Sequence, residues 1–175
     1  MNPGDSNSLC LECGLCCNGV IFADGQLQPE DDASHLRSLG LKFAPNRQST
    51  IGNRKFLQPC ACFDGRNCNI YPDRPKYCRE FECLLLKSLK AGHTDTAAAL
   101  RVIRNARQRV EKVKHLLRDL GNVEEDLPLS KRFRKVKRRL ESSALDEDAA
   151  EKFGDLTLAV HDLNLLLGEA FYPAS

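Results

Sequence analysis

The cysteines constrain this chain more than any other feature. There are nine in 175 residues, and all of them lie between Cys10 and Cys83, whereas residues 84–175 contain none. Residues 1–20 have no basic start followed by an apolar core, so we expect no secretory signal and a cytoplasmic protein. In a reducing compartment disulfides are rare, and clustered thiols more often bind metal or carry out redox chemistry. An odd number of cysteines also fits a closed set of disulfides poorly.

The first cluster is Cys10-Leu-Glu-Cys13-Gly-Leu-Cys16-Cys17. A two-residue gap lets two thiolates of one tight turn reach the same ion, and Gly14 permits the left-handed backbone that such a turn often needs. The same spacing occurs in iron–sulfur proteins. Because Cys16 and Cys17 are adjacent, their side chains leave the backbone in different directions. We therefore expect them to serve two neighbouring centres. Alternatively, one of them binds metal and the other lies beside the ligands without binding.

The second cluster lies further along the chain and consists of Cys60, Cys62, Cys68, Cys78 and Cys83. Long loops between metal ligands are tolerated because the entropy of loop closure rises slowly with length. A structural metal, in contrast, can stabilise a fold by on the order of 10 kcal/mol. The two clusters together therefore predict metal binding.

The order and spacing of these residues resemble the YkgJ-type cysteine-cluster proteins. The matching segments are Cys10-x2-Cys13-Gly-x-Cys16-Cys17 and Cys62-Phe63-x4-Cys68-x-Ile70-Tyr71-x2-Arg74-Pro75-x2-Cys78-Arg79-x-Phe81-x-Cys83. The resemblance implies chelation of zinc or iron by eight ligands, which are Cys10, Cys13, Cys16, Cys17, Cys62, Cys68, Cys78 and Cys83. Cys60 is outside the matched pattern. The group also includes flagellin lysine methylases, so a protein-lysine N-methylase is an implied alternative function.

Eight thiols make two four-cysteine sites, or one cluster beside free thiols, so the expected cofactor is one or two centres of iron–sulfur or zinc. Gly14 after Cys13 favours zinc, whereas the dense run of cysteines and the iron association of the family favour a cluster, which we prefer. The expected role is metal handling, redox chemistry or assembly. No glycine-rich phosphate loop or dinucleotide fingerprint is present, and no catalytic residue is assigned.

The segment around the second cluster also contains charged and aromatic residues. Arg74 and Arg79 either offset thiolate charge or bind nearby carboxylates and loop carbonyls, and the second interpretation is preferred. Tyr71 and Phe81 are expected to pack in a small core.

We expect a boundary near Gly92, between a cysteine-cluster metal-binding domain at residues 1–92 and a helical region at residues 93–175. The first is expected to be a small metal-organised, loop-rich α domain with minor β structure. Apolar residues at spacings of three and four predict three helices in the second. The expected elements are strands at 20–22 and 54–57, helices at 29–39 and 81–91, and the three C-terminal helices at about 94–120, from Ser130 to about Leu140, and at about 146–167.

The helical region is polarised in charge. Residues 101–139 contain 14 basic and 5 acidic residues, whereas residues 140–175 contain 1 basic and 8 acidic residues. The basic run at 131–139 either binds an acidic protein partner or lies as a solvated face against the acidic third helix, which the opposed charges favour. A helical interaction module with a basic face is thus a second alternative function. Nucleic acid is the less favoured partner, and no apolar run reaches the roughly 18 residues of a membrane span.

Overall fold

The computed structural model describes residues 4–45, 54–142 and 146–172. Within those ranges the chain forms seven helices and one two-stranded antiparallel sheet in which Gly25 lies opposite Phe56. The elements are α1 (Gly4–Cys13), β1 (Asp24–Gln26), α2 (Ala33–Ser38), β2 (Lys55–Leu57), α3 (Lys76–Glu80), α4 (Leu84–Lys90), α5 (Thr96–Asp119), α6 (Leu129–Glu141) and α7 (Glu147–Ala170). The expected α-dominated fold with a small β component and C-terminal helices is confirmed.

The larger of two hydrophobic cores is built around α5. The apolar stripe of α5 is buried from Ala99 to Leu117, and α7 packs along it with a buried face that runs from Leu156 to Leu167. This larger core also takes in Leu9, Leu15 and Ile21 from the first cysteine segment. The C-terminal helices therefore pack against the cysteine-rich part of the chain. None of the helices in the described ranges combines the length and the apolar character that crossing a membrane requires.

The smaller core holds the two strands and the second cysteine segment. It consists of Leu27, Leu36, Leu41, Phe56, Cys62 and Ile70. The ring of Phe56 packs directly against Gly25 in the opposite strand. The approach is so close that a Cβ atom at Gly25 would be only 2.1 Å from the Cζ atom of that ring. The absence of a side chain at Gly25 thus allows the sheet to cover this core.

The observed elements depart from the predicted ones at three places, and a side-chain cap explains the first. The helix predicted at 29–39 begins only at Ala33, because the carboxylate of Asp32 accepts hydrogen bonds from the amides of Ser34 and His35. The helix predicted at 81–91 begins at Leu84, after Cys83. The strand predicted at 20–22 is wrong, since these residues form bends and the first strand begins at Asp24.

Other predicted elements lie close to the observed ones. The strand at 54–57 is confirmed as β2, and the three C-terminal helices are confirmed as α5, α6 and α7. Helix α6 begins after Pro128, two residues before the predicted Ser130 cap. Helices α1 and α3 were not predicted, because neither carries an apolar stripe that periodicity could detect.

Part of the basic run on α6 serves the fold itself. The side chain of Arg132 is 2% exposed, and its Nε donates a hydrogen bond to Oδ1 of Asn122 at 2.7 Å. A second bond joins the Arg132 guanidinium to the carbonyl oxygen of Asn122, and Arg139 donates to the carbonyl oxygen of Leu120. The chief helical partner of α6 is α5, and not the acidic α7 as the opposed charges suggested.

Candidate metal centre

The first cysteine segment lies at the end of α1. Cys10 and Cys13 are three residues apart in the last turn of this helix, so they lie on one face of it and not in the expected tight turn. Gly14 ends the helix with φ of +66°, as predicted from its position after Cys13. The ring of Phe63 covers Gly14 so closely that a Cβ atom there would be 2.5 Å from the ring Cζ. The amide of Cys17 then donates to the carbonyl oxygen of Gly14 at 3.0 Å.

The second cysteine segment touches the first through its backbone. The amide of Cys60 donates a hydrogen bond to the carbonyl oxygen of Cys17 at 2.8 Å. An isolated β-bridge pairs Phe63 with Cys68, which brings Cys68 back towards Cys60. Cys78 follows in the short helix α3. Distant parts of the chain are thus held together by main-chain bonds before any side-chain chemistry is considered.

Most of the cysteines line one cavity of about 100 Å³. The cysteines on its wall are Cys10, Cys13, Cys16, Cys17, Cys68, Cys78 and Cys83. The rest of the wall is mainly apolar, and it includes Ile103 of α5 and Phe171 at the end of α7. Sequence reasoning placed neither residue at the site, because helical periodicity marks them only as core positions. The C-terminal helices therefore complete the wall of the cysteine-lined cavity.

The thiols divide between the two hydrophobic cores. Cys13, Cys16 and Cys83 pack against the larger core, whereas Cys60, Cys68 and Cys78 pack against the smaller one. After burial, the strongest influence on the pKa of Cys10 is Cys83, and the strongest influence on the pKa of Cys17 is Cys60. We call Cys10, Cys13, Cys16 and Cys83 the first thiol group, and Cys17, Cys60, Cys68 and Cys78 the second thiol group.

Cys62 lies deeper than the other thiols, although its side chain interacts with that of Cys60. Its side chain is 3% exposed and lies among the apolar residues of the smaller core. Its Sγ donates a weak hydrogen bond to the carbonyl oxygen of Leu39 at 3.6 Å. Neither Cys62 nor Cys60 lines the cavity. Cys60, however, interacts with the other members of the second thiol group.

Burial keeps these thiols in the neutral form. It raises the pKa of Cys13, Cys17 and Cys78 from an ordinary value of 9.0 to about 12 in each case. Burial likewise raises the pKa of Cys60 to about 11 and that of Cys16 well above its ordinary value. A thiolate is disfavoured in such an apolar place unless a cation compensates its charge, and a metal ion deprotonates a coordinating thiol outright.

The donor chemistry of the cavity fits a thiophilic metal. Sulfur ligands select zinc, copper(I) or iron–sulfur clusters over magnesium and calcium. Two buried polar atoms of the described chain, Oε1 of Gln58 and the hydroxyl of Tyr71, have no hydrogen-bond partner, and both residues line the cavity. As the side chains stand, no three or more His, Cys, Asp or Glu residues in the described ranges are arranged to hold a metal ion. Binding would therefore draw the sulfur atoms together around the bound group.

Comparison with known proteins agrees with this chemistry. The CxxCxxCC family, described as a candidate zinc- or iron-chelating domain, matches residues 9–112. The chain belongs to this family. The match covers more than half of the chain, includes both cysteine segments and continues past Gly92 into α5. The resemblance to zinc- or iron-chelating cysteine-cluster proteins is thereby confirmed. No curated protein and no solved structure matches the chain.

The raised thiol pKa values predict that the metal-free, reduced protein loses stability at alkaline pH. Below about pH 9 the thiols are protonated in both the folded and the unfolded chain. Above it the unfolded chain releases protons, whereas folded thiols with pKa values of about 11 to 12 retain them. The free energy of unfolding should therefore fall as pH rises through this interval.

Thermal unfolding of the metal-free protein in reductant, between about pH 8 and 11, measures this effect. The variant Cys17→Ala is the control, and its melting temperature should fall less steeply with pH because one buried thiol is missing. Equal slopes for the two proteins would contradict the assignment of the effect to these thiols.

Proposed function

We propose that this chain is an iron–sulfur protein that holds two neighbouring centres and acts in electron transfer or in cluster handling. The observation that carries the proposal is the one partly open cavity of the described chain whose wall contains seven of the nine cysteines. The first thiol group would hold one centre and the second thiol group the other. When bound, such clusters supply one-electron redox chemistry at a potential that the surrounding protein sets.

Two centres, and not one, are supported by the division of the thiols. Each thiol group has four members, and four thiolates complete either an iron–sulfur cluster or a structural zinc site. Cys16 packs against the larger core, whereas its neighbour Cys17 is bonded through its backbone to Cys60. Adjacent residues with different neighbours are suited to ligate different centres, and such centres would lie close together.

The cavity is large enough to accommodate a cluster. Tetrahedral zinc at about 2.3 Å from each sulfur holds its four ligands about 3.8 Å apart, which leaves no free space between them. The cavity of about 100 Å³ is several times the roughly 10–15 Å³ that one water molecule requires. A cluster places iron and sulfide between its thiolates and so uses such space. The apolar wall around it would exclude water from the sulfur atoms.

We assign Cys60 to the second centre in place of Cys62, which the family resemblance suggested. Cys60 interacts electrostatically with Cys17, Cys68 and Cys78, all of which line the cavity. Cys62 lies in the smaller core with its Sγ directed at a carbonyl oxygen. A thiol in that position behaves as a small apolar side chain and is inert.

Anaerobic purification followed by absorption spectroscopy and analysis of iron, zinc and acid-labile sulfide tests the identity of the centres. We expect a brown protein that contains iron and sulfide. A colourless protein with stoichiometric zinc would reject the clusters and retain metal chelation, and a protein that takes up neither metal would reject the proposed function.

Serine variants test the assignment of the ligands. Cys60→Ser should lose about half of the bound iron, because only the second centre lacks a thiolate, and Cys17→Ser should behave in the same way. Cys62→Ser is the matched control and should retain all the metal, since a serine hydroxyl can still donate to the carbonyl oxygen of Leu39. Full metal content in Cys60→Ser together with a loss in Cys62→Ser would reverse the assignment.

A further inference from the structure

Tyr71 and Arg74 form a fixed pair on the wall of the cavity. The Cζ atom of Arg74 lies 3.6 Å from the centre of the Tyr71 ring, and its Nε donates a hydrogen bond to the carbonyl oxygen of Tyr71 at 2.9 Å. Both side chains line the cavity together with the thiols. The ring contact and the main-chain bond hold the guanidinium in one orientation, so its charge stays beside the sulfur atoms.

The hydroxyl of Tyr71 lacks a hydrogen-bond partner. It is buried, and no donor or acceptor in the described part of the chain reaches it. An unsatisfied buried hydroxyl destabilises the fold. The wall also carries Gln58, Arg66, Arg74 and Tyr77, but seven cysteines share it. A sulfur atom that becomes negatively charged when a metal centre binds is therefore an available acceptor for this O–H group.

The charge of Arg74 reaches both thiol groups. Arg74 lines the same cavity as Cys10, Cys17 and Cys78. Cys10 belongs to the first thiol group, and Cys17 and Cys78 belong to the second. Arg74 thus lies where one positive charge can act on two negatively charged centres.

We propose that the Tyr71 hydroxyl donates a hydrogen bond to a sulfur atom of a bound centre, and that Arg74 offsets the charge of both centres. The proposal rests on the proposed function, because it assigns roles to these residues only towards bound metal. Hydrogen bonds to sulfur and nearby positive charge both stabilise the more negative, reduced state and therefore raise the reduction potential. They also strengthen metal binding, because they stabilise the thiolates.

The variant Tyr71→Phe removes only the hydroxyl group and is the decisive test. In the metal-loaded protein the ratio of reduced to oxidised centre at a fixed potential should fall about tenfold, which is a midpoint about 59 mV lower for a one-electron couple. Metal affinity, measured by competition with a chelator, should also fall about tenfold. The melting temperature of the metal-free variant should stay level or rise, because an unsatisfied polar group has been removed.

Tyr71→Phe should therefore bind metal more weakly and yet be no less stable than the wild type when metal is absent. This combination of results distinguishes the proposed role from a purely structural one. Tyr172→Phe is the control, because the hydroxyl of Tyr172 already donates to the carbonyl oxygen of Ile21 at 3.4 Å. Because Tyr172 also lies near Cys16, the variant should change the potential and the metal affinity slightly, and far less than Tyr71→Phe does.

Substitution of Arg74 separates its charge from its packing. Arg74→Gln should lower the potential and the metal affinity, and Arg74→Lys should restore most of both because it keeps the positive charge. If Tyr71→Phe binds metal as tightly as the wild type, the proposal for Tyr71 is overturned, and chelator competition decides this for zinc as well as for iron. If the wild type binds neither metal, the proposed function fails instead.

Discussion

The burial of thiols in an apolar cavity is the constraint on which the rest of this structure depends. Burial limits the access of water to the sulfur atoms, so the thiols stay protonated with pKa values that reach about 12. A metal cation reverses this balance because it replaces the protons and stabilises the thiolate charge. The cavity therefore favours two states of the sulfur atoms, neutral thiols without metal and metal-bound thiolates.

The C-terminal helices take part in this constraint. The carbonyl oxygen of Phe171 accepts a hydrogen bond from the amide of Leu84, and the hydroxyl of Tyr172 bonds the main chain at Ile21. Phe171 also lines the cavity beside Ile103 of α5. The helices are thus part of the wall that keeps water from the sulfur atoms, and loss of their packing would hydrate the thiols.

The sequence predicted those features that depend on residue patterns within one segment of the chain. Periodic apolar residues indicated α5 and α7, and the spacing of the cysteines indicated a chelating family. It did not predict which thiols lie together, because that depends on contacts between distant segments such as the bond from Cys60 to Cys17. The sequence also did not predict the unsatisfied hydroxyl of Tyr71, since an aromatic residue beside cysteines indicates only core packing.

Counting reactive thiols tests the central claim most directly. In freshly and anaerobically isolated folded protein, a thiol reagent should react with few of the nine cysteines, because the proposed centres would bind eight of them and Cys62 is buried. Removal of the metal followed by unfolding should then release all of them. If all nine cysteines react at once in a protein that is still folded and has never met a chelator, the account of a metal-holding cavity is wrong.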